Sequence, residues 1–450
     1  MRKKRNPQCS IELAVVPHDI FGQLSAISRF LDDHPQFLDW VMDDLESGAT
    51  KDTGRAGLSA ESVLRAALLK QYLQCDYDYL SFVLMDSQCF RQFCRLEANQ
   101  CPRRSSLHSL ISRIKAATYE NINRGLLVTA CEKKIEKGRT VAIDSTVTET
   151  DIKTPYDSDL LADGVKKICR LLEQGQQLTP EPLYQYTHHN RAVRDAARQC
   201  GYARKKEDQK PYYRKLLQLT RKSRLILIKA VAEISLAMDK GQVLSPEKTL
   251  QWLEEVERLK LLIDAVVSQT QRRVFEGEKV PVQEKVVSLY EPHTDIIVKD
   301  RRQVQFGHKL NLVQGKSRLI LDLVIETGNP ADSERYIPMV ERQKEIYGRV
   351  PRQVSVDGGY ASTANLQSVK EMGVKDAAFH KKRGLEIEEM TKSAYVYKTL
   401  RRFRAGIEAG ISWLKRCFGL SRCPNSGSER FDAHCWAAVV CYNLVILTRY

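Results

Sequence analysis

The chain has 450 residues, 42% of them hydrophobic, enough for buried cores in two or three domains, which excludes a disordered polymer. A formal net charge of +15 favours a polyanionic partner. The opening Met-Arg-Lys-Lys-Arg lacks the apolar core of a signal peptide, and the most apolar stretch, Trp436 to Leu447, is too short to span a bilayer and is interrupted by Asn443.

Residues 1 to about 125 read as helical. Ser59 is placed to cap a helix carrying Val63, Leu64, Ala67, Leu68 and Tyr72 on one face. A second helix follows Asp78. Pro102-Arg103-Arg104-Ser105-Ser106 reads as a turn and cap, leading into Leu107, Leu110, Ile111 and Ile114 at i, i+3, i+4, i+7. Short helices joined by turns, the last preceded by Arg103 and Arg104, suit a helix-turn-helix DNA reader, with a plain helical bundle as the alternative.

At 140–150 the texture changes to Thr-Val-Ala-Ile-Asp-Ser-Thr-Val-Thr-Glu-Thr, a β-branched run that predicts a strand. Val141 and Ile143 fall on one face; Ala142, Asp144 and Thr146 fall on the other. From about 158 to 275 the pattern is helical and strongly basic, with Arg204, Lys205, Lys206, Lys210, Arg214, Lys215, Arg221, Lys222 and Arg224 crowded together. Such a run is either a solvated helix face or a phosphate-contacting one. Trp252, Val256, Leu259 and Ile263 mark a late helical stripe.

Two alternating runs around Gln314-Gly315-Lys316-Ser317 predict a β-hairpin from about 303 to 325. A helix is expected over 332–347. A strand ending at Asp357 follows, closed by Gly358-Gly359. A helix (363–372), a strand (375–380) and a helix over about 402–417 complete the series. The twelve cysteines show no C-x-x-C pair, and Cys417, Cys423, His434 and Cys435 fit no common zinc spacing. Reduced thiols in a cytoplasm are expected.

Three acidic residues stand out by context. Asp144 lies within a strand, Asp357 ends another, and Glu408 sits on a helix. At about 100° per residue, Arg404, Glu408 and Lys415 share one stripe beside the apolar Ile407, Ile411 and Leu414, while Gly406 and Gly410 fall on the far side. Three carboxylates without a histidine or cysteine partner suit hard cations such as Mg²⁺ or Mn²⁺. Two such ions can activate a water or sugar hydroxyl and stabilise the leaving oxygen of an in-line displacement. Arg404 and Lys415 could steady the DNA backbone. Taken singly, a strand-end Asp is most often a turn former and a helical Glu is most often solvated. Asp322 competes with Asp357 for the metal role, but the Gly-Gly turn opens the strand end at Asp357. His308 reads as a core histidine, and His188-His189 as exposed.

The segments Val141–Thr150, Val354–Tyr360 and Arg402–Lys415 resemble the DDE transposases of bacterial insertion sequences, closest to the ISNCY-like groups. Arg404, Glu408 and Lys415 match the family's Y-x2-R-x3-E-x6-K signature; Arg401 replaces its tyrosine, so no tyrosine role carries over. The resemblance implies an α+β chain with an RNase H-like mixed-sheet core, whose metal ligands are Asp144, Asp357 and Glu408. The expected layout is a helical DNA-binding domain (1–125), the start of the catalytic core (126–157), a basic helical insertion (158–290) and the rest of the core (291–450). The implied reaction is cleavage at the element's terminal inverted repeats, then attack of the 3′-hydroxyl ends on target DNA, with two Mg²⁺ or Mn²⁺ ions. The implied partners are double-stranded DNA, as element ends and target, and further copies of the chain in a dimer or larger assembly. A bacterial, nucleoid-associated cytoplasmic protein without a membrane segment is expected. The alternatives are a nuclease on the same fold without strand transfer, and a catalytically silent DNA-binding descendant. Arg103, Arg104, Lys205 and Lys206 join Arg404 and Lys415 as candidate DNA contacts.

Overall fold

A computed structural model describes residues 4, 18–47, 57–299, 303–381 and 383–450. The basic N-terminal run, apart from Lys4, lies outside the described residues. The chain divides into two compact units, Met1–Asp151 with Ile297–Tyr450, and Ile152–Ile296.

The first unit opens with seven helices: α1 Asp19–Asp32, α2 Phe37–Glu46, α3 Ala60–Leu73, α4 Tyr77–Asp86, α5 Gln88–Phe93, α6 Arg104–Ile111 and α7 Ala116–Glu132. Ser59 caps α3 as expected, accepting a hydrogen bond from the Ser62 amide at 3.1 Å. The next helix begins one residue before Asp78, capped by Asp76. The expected cap at Ser105-Ser106 is corrected: both serines lie inside α6, whose N-cap is Arg103 with no side-chain bond. Ile114 is buried beyond the end of that helix.

β1 (Thr140–Thr150) follows, and the chain then enters the second unit. That unit is helical: α8 Asp157–Gly175, α9 Asn190–Tyr202, α10 Lys206–Asp239 and α11 Pro246–Thr270, closed by a π-helical turn at Gln271–Phe275. Trp252, Val256, Leu259 and Ile263 are all buried, so the expected stripe of α11 faces an apolar cluster.

The chain returns with β2 Asp295–Lys299, β3 Gln303–Gly315, β4 Ile320–Ile325, α12 Asp332–Tyr347, β5 Gln353–Val356, α13 Thr363–Glu371, β6 Asp376–Phe379, α14 Ile387–Met390, α15 Ala394–Cys417, β7 Arg422–Cys423 and α16 Ser428–Leu447. The hairpin, the α12 helix and the strand before Asp357 appear where the pattern put them. α15 starts earlier than its expected 402, because Ser393 caps it through the Val396 amide.

The result is an α+β fold with a helical majority and one open mixed sheet, ordered β2-β3-β1-β5-β6, with β4 also on β3 and β7 also on β1. β1 runs antiparallel to β3 and parallel to β5; β6 is parallel to β5. Residues paired across strands share a face. One face therefore carries Ala142, Asp144, Leu312, Gln314, Leu323 and Ser355; the other carries Ile143, Ser145, Asn311, Val313, Asp322 and Val356. α15 lies on the first face, where Ser355 Oγ donates to the Leu400 carbonyl at 2.9 Å. α12 lies on the second, where Tyr336 meets Phe379 edge-on at 5.5 Å. Both faces of β1 are thus covered.

The apolar cluster of this unit is continuous from Leu24 in α1 to Leu447 in α16. α16 packs against α7 and α3, and Asn443 Nδ2 donates to Asn123 Oδ1 at 2.7 Å. The helices before residue 125 therefore share their core with the sheet and with the C-terminal helix.

Candidate active site

β1 carries Asp144 on the face that α15 covers. The parallel register runs Ile143 beside Val356, so continued alternation sets Asp357 next to Asp144 on that face. The chain then turns through a short 3₁₀ segment, Gly358–Tyr360. The Gly-Gly pair answers close packing: a Cβ on Gly358 would meet Lys381 Cβ at 2.6 Å, and one on Gly359 would meet Asp332 Oδ2 at 2.9 Å.

α15 supplies the third carboxylate and a cation. Arg404 is buried, and its guanidinium joins the three acids. Nη2 lies 3.0 Å from Asp144 Oδ2 and 3.9 Å from Asp357 Oδ2; Nη1 lies 2.5 Å from Glu408 Oε1. Asp144 also accepts from the Ser145 amide at 2.9 Å. Exposure is graded across the site: side chains are 14% accessible at Asp144, 42% at Asp357 and 57% at Glu408, so the site opens to solvent on the Glu408 side. Arg404 Nε is buried without a hydrogen-bond partner.

The helix geometry differs from expectation at one point. Gly410 does not face away; it is buried against the sheet, where a Cβ would meet Gln314 Nε2 at 2.5 Å and Tyr442 Oη at 3.3 Å. The buried arc of α15 spans Gly410, Ile407, Ile411 and Arg404, wider than the apolar residues alone imply. Glycine lets the helix approach the sheet closely enough for Arg404 and Glu408 to reach the strand ends.

The donor set of three carboxylates suits a hard divalent cation. Among the described residues, however, no three acidic, imidazole or thiol side chains converge as a metal cage. The Arg404 guanidinium lies among the carboxylates instead, so cation binding there requires that side chain to move.

Other candidates fall elsewhere. Lys415 is half-buried, two turns beyond Glu408 on α15. Asp322 is on the opposite face, wholly buried and held by Arg342 at 2.6 Å and Arg124 at 3.1 Å. Arg103 and Arg104 are exposed at the start of α6, with Arg104 paired to Asp78 at 3.0 Å. Lys205 and Lys206 are exposed at the start of α10. His308 is buried, with its ring 4.8 Å from Phe431. His434 Nε2 donates to the Gly419 carbonyl at 2.9 Å, and burial pushes its pKa down to about 4.

A polar group behind the strand ends was not read from the sequence. Tyr360 is fully buried and its hydroxyl donates to Asn311 Oδ1 at 3.3 Å. Burial first, then the nearby Asp332 and Asp144, pushes its pKa well above the ordinary phenol range, so it stays a neutral donor. Lys309 pairs with Asp332 at 2.6 Å. The one available signal was Tyr360 itself, at the end of the Asp-Gly-Gly-Tyr run.

Residues 258–444 match the family model of the transposase DDE domain. The match supports a transposase of the DDE type. It takes in Asp357 and Glu408 and leaves β1, with Asp144, before its start. A DDE transposase is a DNA-binding, DNA-cleaving enzyme, and such enzymes generally use divalent metal ions. No curated protein and no solved structure matches the chain. No described helix is long and apolar enough to cross a membrane.

Proposed function

We propose that this chain cleaves DNA at the terminal inverted repeats of an insertion sequence and transfers the 3′-hydroxyl ends to target DNA. The observation that carries the reading is the gathering of Asp144, Asp357 and Glu408, from two strands and a helix, around the single guanidinium of Arg404. Three carboxylates that share one guanidinium leave an excess of negative charge, which favours a further cation there. The antiparallel β1, β3 and β4 with the parallel β5 and β6 have the strand arrangement of an RNase H-like core, which supports the same reading. The ISNCY-like grouping rests on the three motif segments alone.

Asp144, Asp357 and Glu408 would hold Mg²⁺ or Mn²⁺, which supplies activation of the attacking oxygen and stabilisation of the leaving one in an in-line displacement. Asp144, the least exposed and most firmly held of the three, anchors the set. Glu408, on the open side, is the ligand free to adjust. Lys415 holds a backbone phosphate beside the site, and Arg404, once released from the carboxylates, can hold another through two hydrogen bonds. Arg103, Arg104, Lys205 and Lys206 are proposed as contacts to flanking DNA. A helical recognition region before residue 125, a dimer or larger assembly on two DNA ends, and action in a bacterial cytoplasm complete the proposal.

The test compares Asp144→Asn, Asp357→Asn and Glu408→Gln with the parent chain on labelled terminal-repeat DNA. Each substitution keeps the shape and removes the charge. Cleavage should fall at least a thousandfold, about 4 kcal/mol in barrier, while gel-shift affinity stays within about threefold, roughly 0.7 kcal/mol. Parent-rate cleavage by any variant removes that residue from the site. Cleavage by the parent without joined products identifies a nuclease in place of a transposase.

A further inference from the structure

Within the second unit the cations are gathered in one segment. Residues 191–229 hold thirteen Lys and Arg against three Asp and Glu, a net +10, whereas the unit as a whole, Ile152–Ile296, holds 25 against 20, a net +5. Some of these cations are internally paired: Arg198 with Asp195 at 3.2 Å, Lys210 with Glu207 at 2.9 Å and Arg224 with Asp264 at 2.8 Å. Arg214, Arg221 and Lys222 have no carboxylate partner among the described residues, and all three are exposed on α10.

These three cations line one cleft of about 450 Å³ between the middle of α10 and the π-helical turn after α11. Its lining also includes Leu217, Leu225 and Phe275. Leu225 is 60% exposed, so its side chain is open to a ligand. Phe275 ends the π-turn, and the Arg214 guanidinium stands 5.6 Å from its ring centroid. π-turns are rare within helices and recur at functional positions. Here the turn sets an aromatic ring beside the Arg214 guanidinium, in the cleft that Arg221 and Lys222 also line. Arg214 and Arg221 are two helical turns apart on one face, a rise of about 10.5 Å at 1.5 Å per residue.

A cleft with cations along one side and an apolar, aromatic surface beside them suits a ligand with the same two parts. A duplex presents phosphate outward and keeps its bases stacked, so it has no use for Phe275 and Leu225. An unpaired nucleotide has both an anionic phosphate and a free planar face. We propose that this cleft is a binding site for single-stranded DNA, with Arg221 and Lys222 on the phosphates and an unstacked base against Phe275 and Leu225. The site deepens the DNA-cleaving reading and rests on it for its biological ligand, since strand cleavage and joining expose unpaired ends.

The test uses the full chain and two fluorescent probes, a 20-nucleotide oligo-dT and a blunt hairpin duplex, followed by anisotropy over a salt series. The double variant R221Q/K222Q should weaken oligo-dT binding at least tenfold and lower its log–log salt slope by about 1.4, at roughly 0.7 for each of two phosphate contacts on a single strand. Phe275→Leu should weaken oligo-dT binding about fivefold or more, the low end for one lost base stack, and leave the salt slope unchanged. Leu225→Ser, at an exposed position, should do the same without affecting folding, as unchanged thermal melting would confirm. Glu276→Gln should tighten oligo-dT binding, because it removes the acidic residue of the lining. Duplex binding should change less than twofold in the Phe275 and Leu225 variants. Equal losses on both probes, or unchanged oligo-dT binding in Leu225→Ser, overturn the proposal. Metal-dependent cleavage by the parent chain is measured in parallel. Cleavage with no cleft effect sinks the cleft alone, and a cleft effect with no cleavage sinks the enzymatic reading alone.

Discussion

Arg404 is the residue on which the site turns. Sequence spacing marks it as a phosphate contact, since it shares a helix stripe with Glu408 and Lys415. In the fold it is buried and bonded to Asp144 and Glu408. A guanidinium is always charged and is desolvated with less cost than an ammonium, so it can stand as counter-ion to three carboxylates. Arg404→Gln should therefore destabilise the chain in the absence of divalent cations. Loss of one partner from a buried ion pair costs about 3–5 kcal/mol. Asp357 and Glu408 are partly solvated, so roughly 2 kcal/mol is expected after screening. Added Mg²⁺ should restore more of the melting temperature in the variant than in the parent. Melting curves with and without Mg²⁺ check this, and identical curves for the two proteins in chelator would show that Arg404 is no counter-ion.

At the scale of elements, α15 matters through its closeness to the sheet. Gly410 faces Gln314, whose amide donates to the Arg318 carbonyl at 3.0 Å and to Tyr442 Oη at 3.3 Å. Gly410→Ala gains up to about 1 kcal/mol of helix propensity. It also forces Gln314 from those partners or lifts the helix, and overpacking of this kind costs about 1–3 kcal/mol. The net expectation is destabilisation by about 1 kcal/mol, with cleavage reduced beyond what stability explains, because Glu408 shifts with the helix. Urea melts and single-turnover cleavage on one preparation measure both effects. A stabilised variant with parent activity would mean that the helix has room to spare. Local patterning foretold α3, α6, β1, the β3–β4 hairpin, α12, β5, α13, β6 and α15, since caps and periodicity act over a few residues; the short β2, β7 and α14 carried no such pattern. Which side of α15 faces the sheet was only half legible: apolar residues mark the stripe, but a glycine at a close approach has no hydrophobic signature.

At the scale of the molecule, the helices before β1 and the helix that ends the chain share one core. α16 packs on α7 and α3, and the apolar cluster spans Leu24 to Leu447. A fragment ending near residue 125 would expose the surface of α3 and α7 that α16 covers. It should show no cooperative thermal transition, whereas the full chain should melt with one. DNA recognition by these helices is therefore best tested by substitutions at Arg103 and Arg104 in the full chain. A sharp melt from the isolated fragment would show that the N-terminal helices fold independently of the sheet.

The three acidic residues, the strands and helices that bear them and the order of those elements could all be read along the chain, because each depends on neighbours within a turn or two. The separation of Asp322 from the site depends on strand register: a one-residue step puts it on the face of Ile143, opposite Asp144. The same holds for the group of Tyr360, Asn311, Lys309 and Asp332, drawn from segments up to about fifty positions apart and joined by pairing that no local pattern encodes. The capture of three carboxylates by Arg404 belongs there too. Asp144 and Arg404 are 260 positions apart, and only the packing of α15 on the sheet makes their charges neighbours. Local chemistry specifies which groups are available; long-range packing specifies which of them meet.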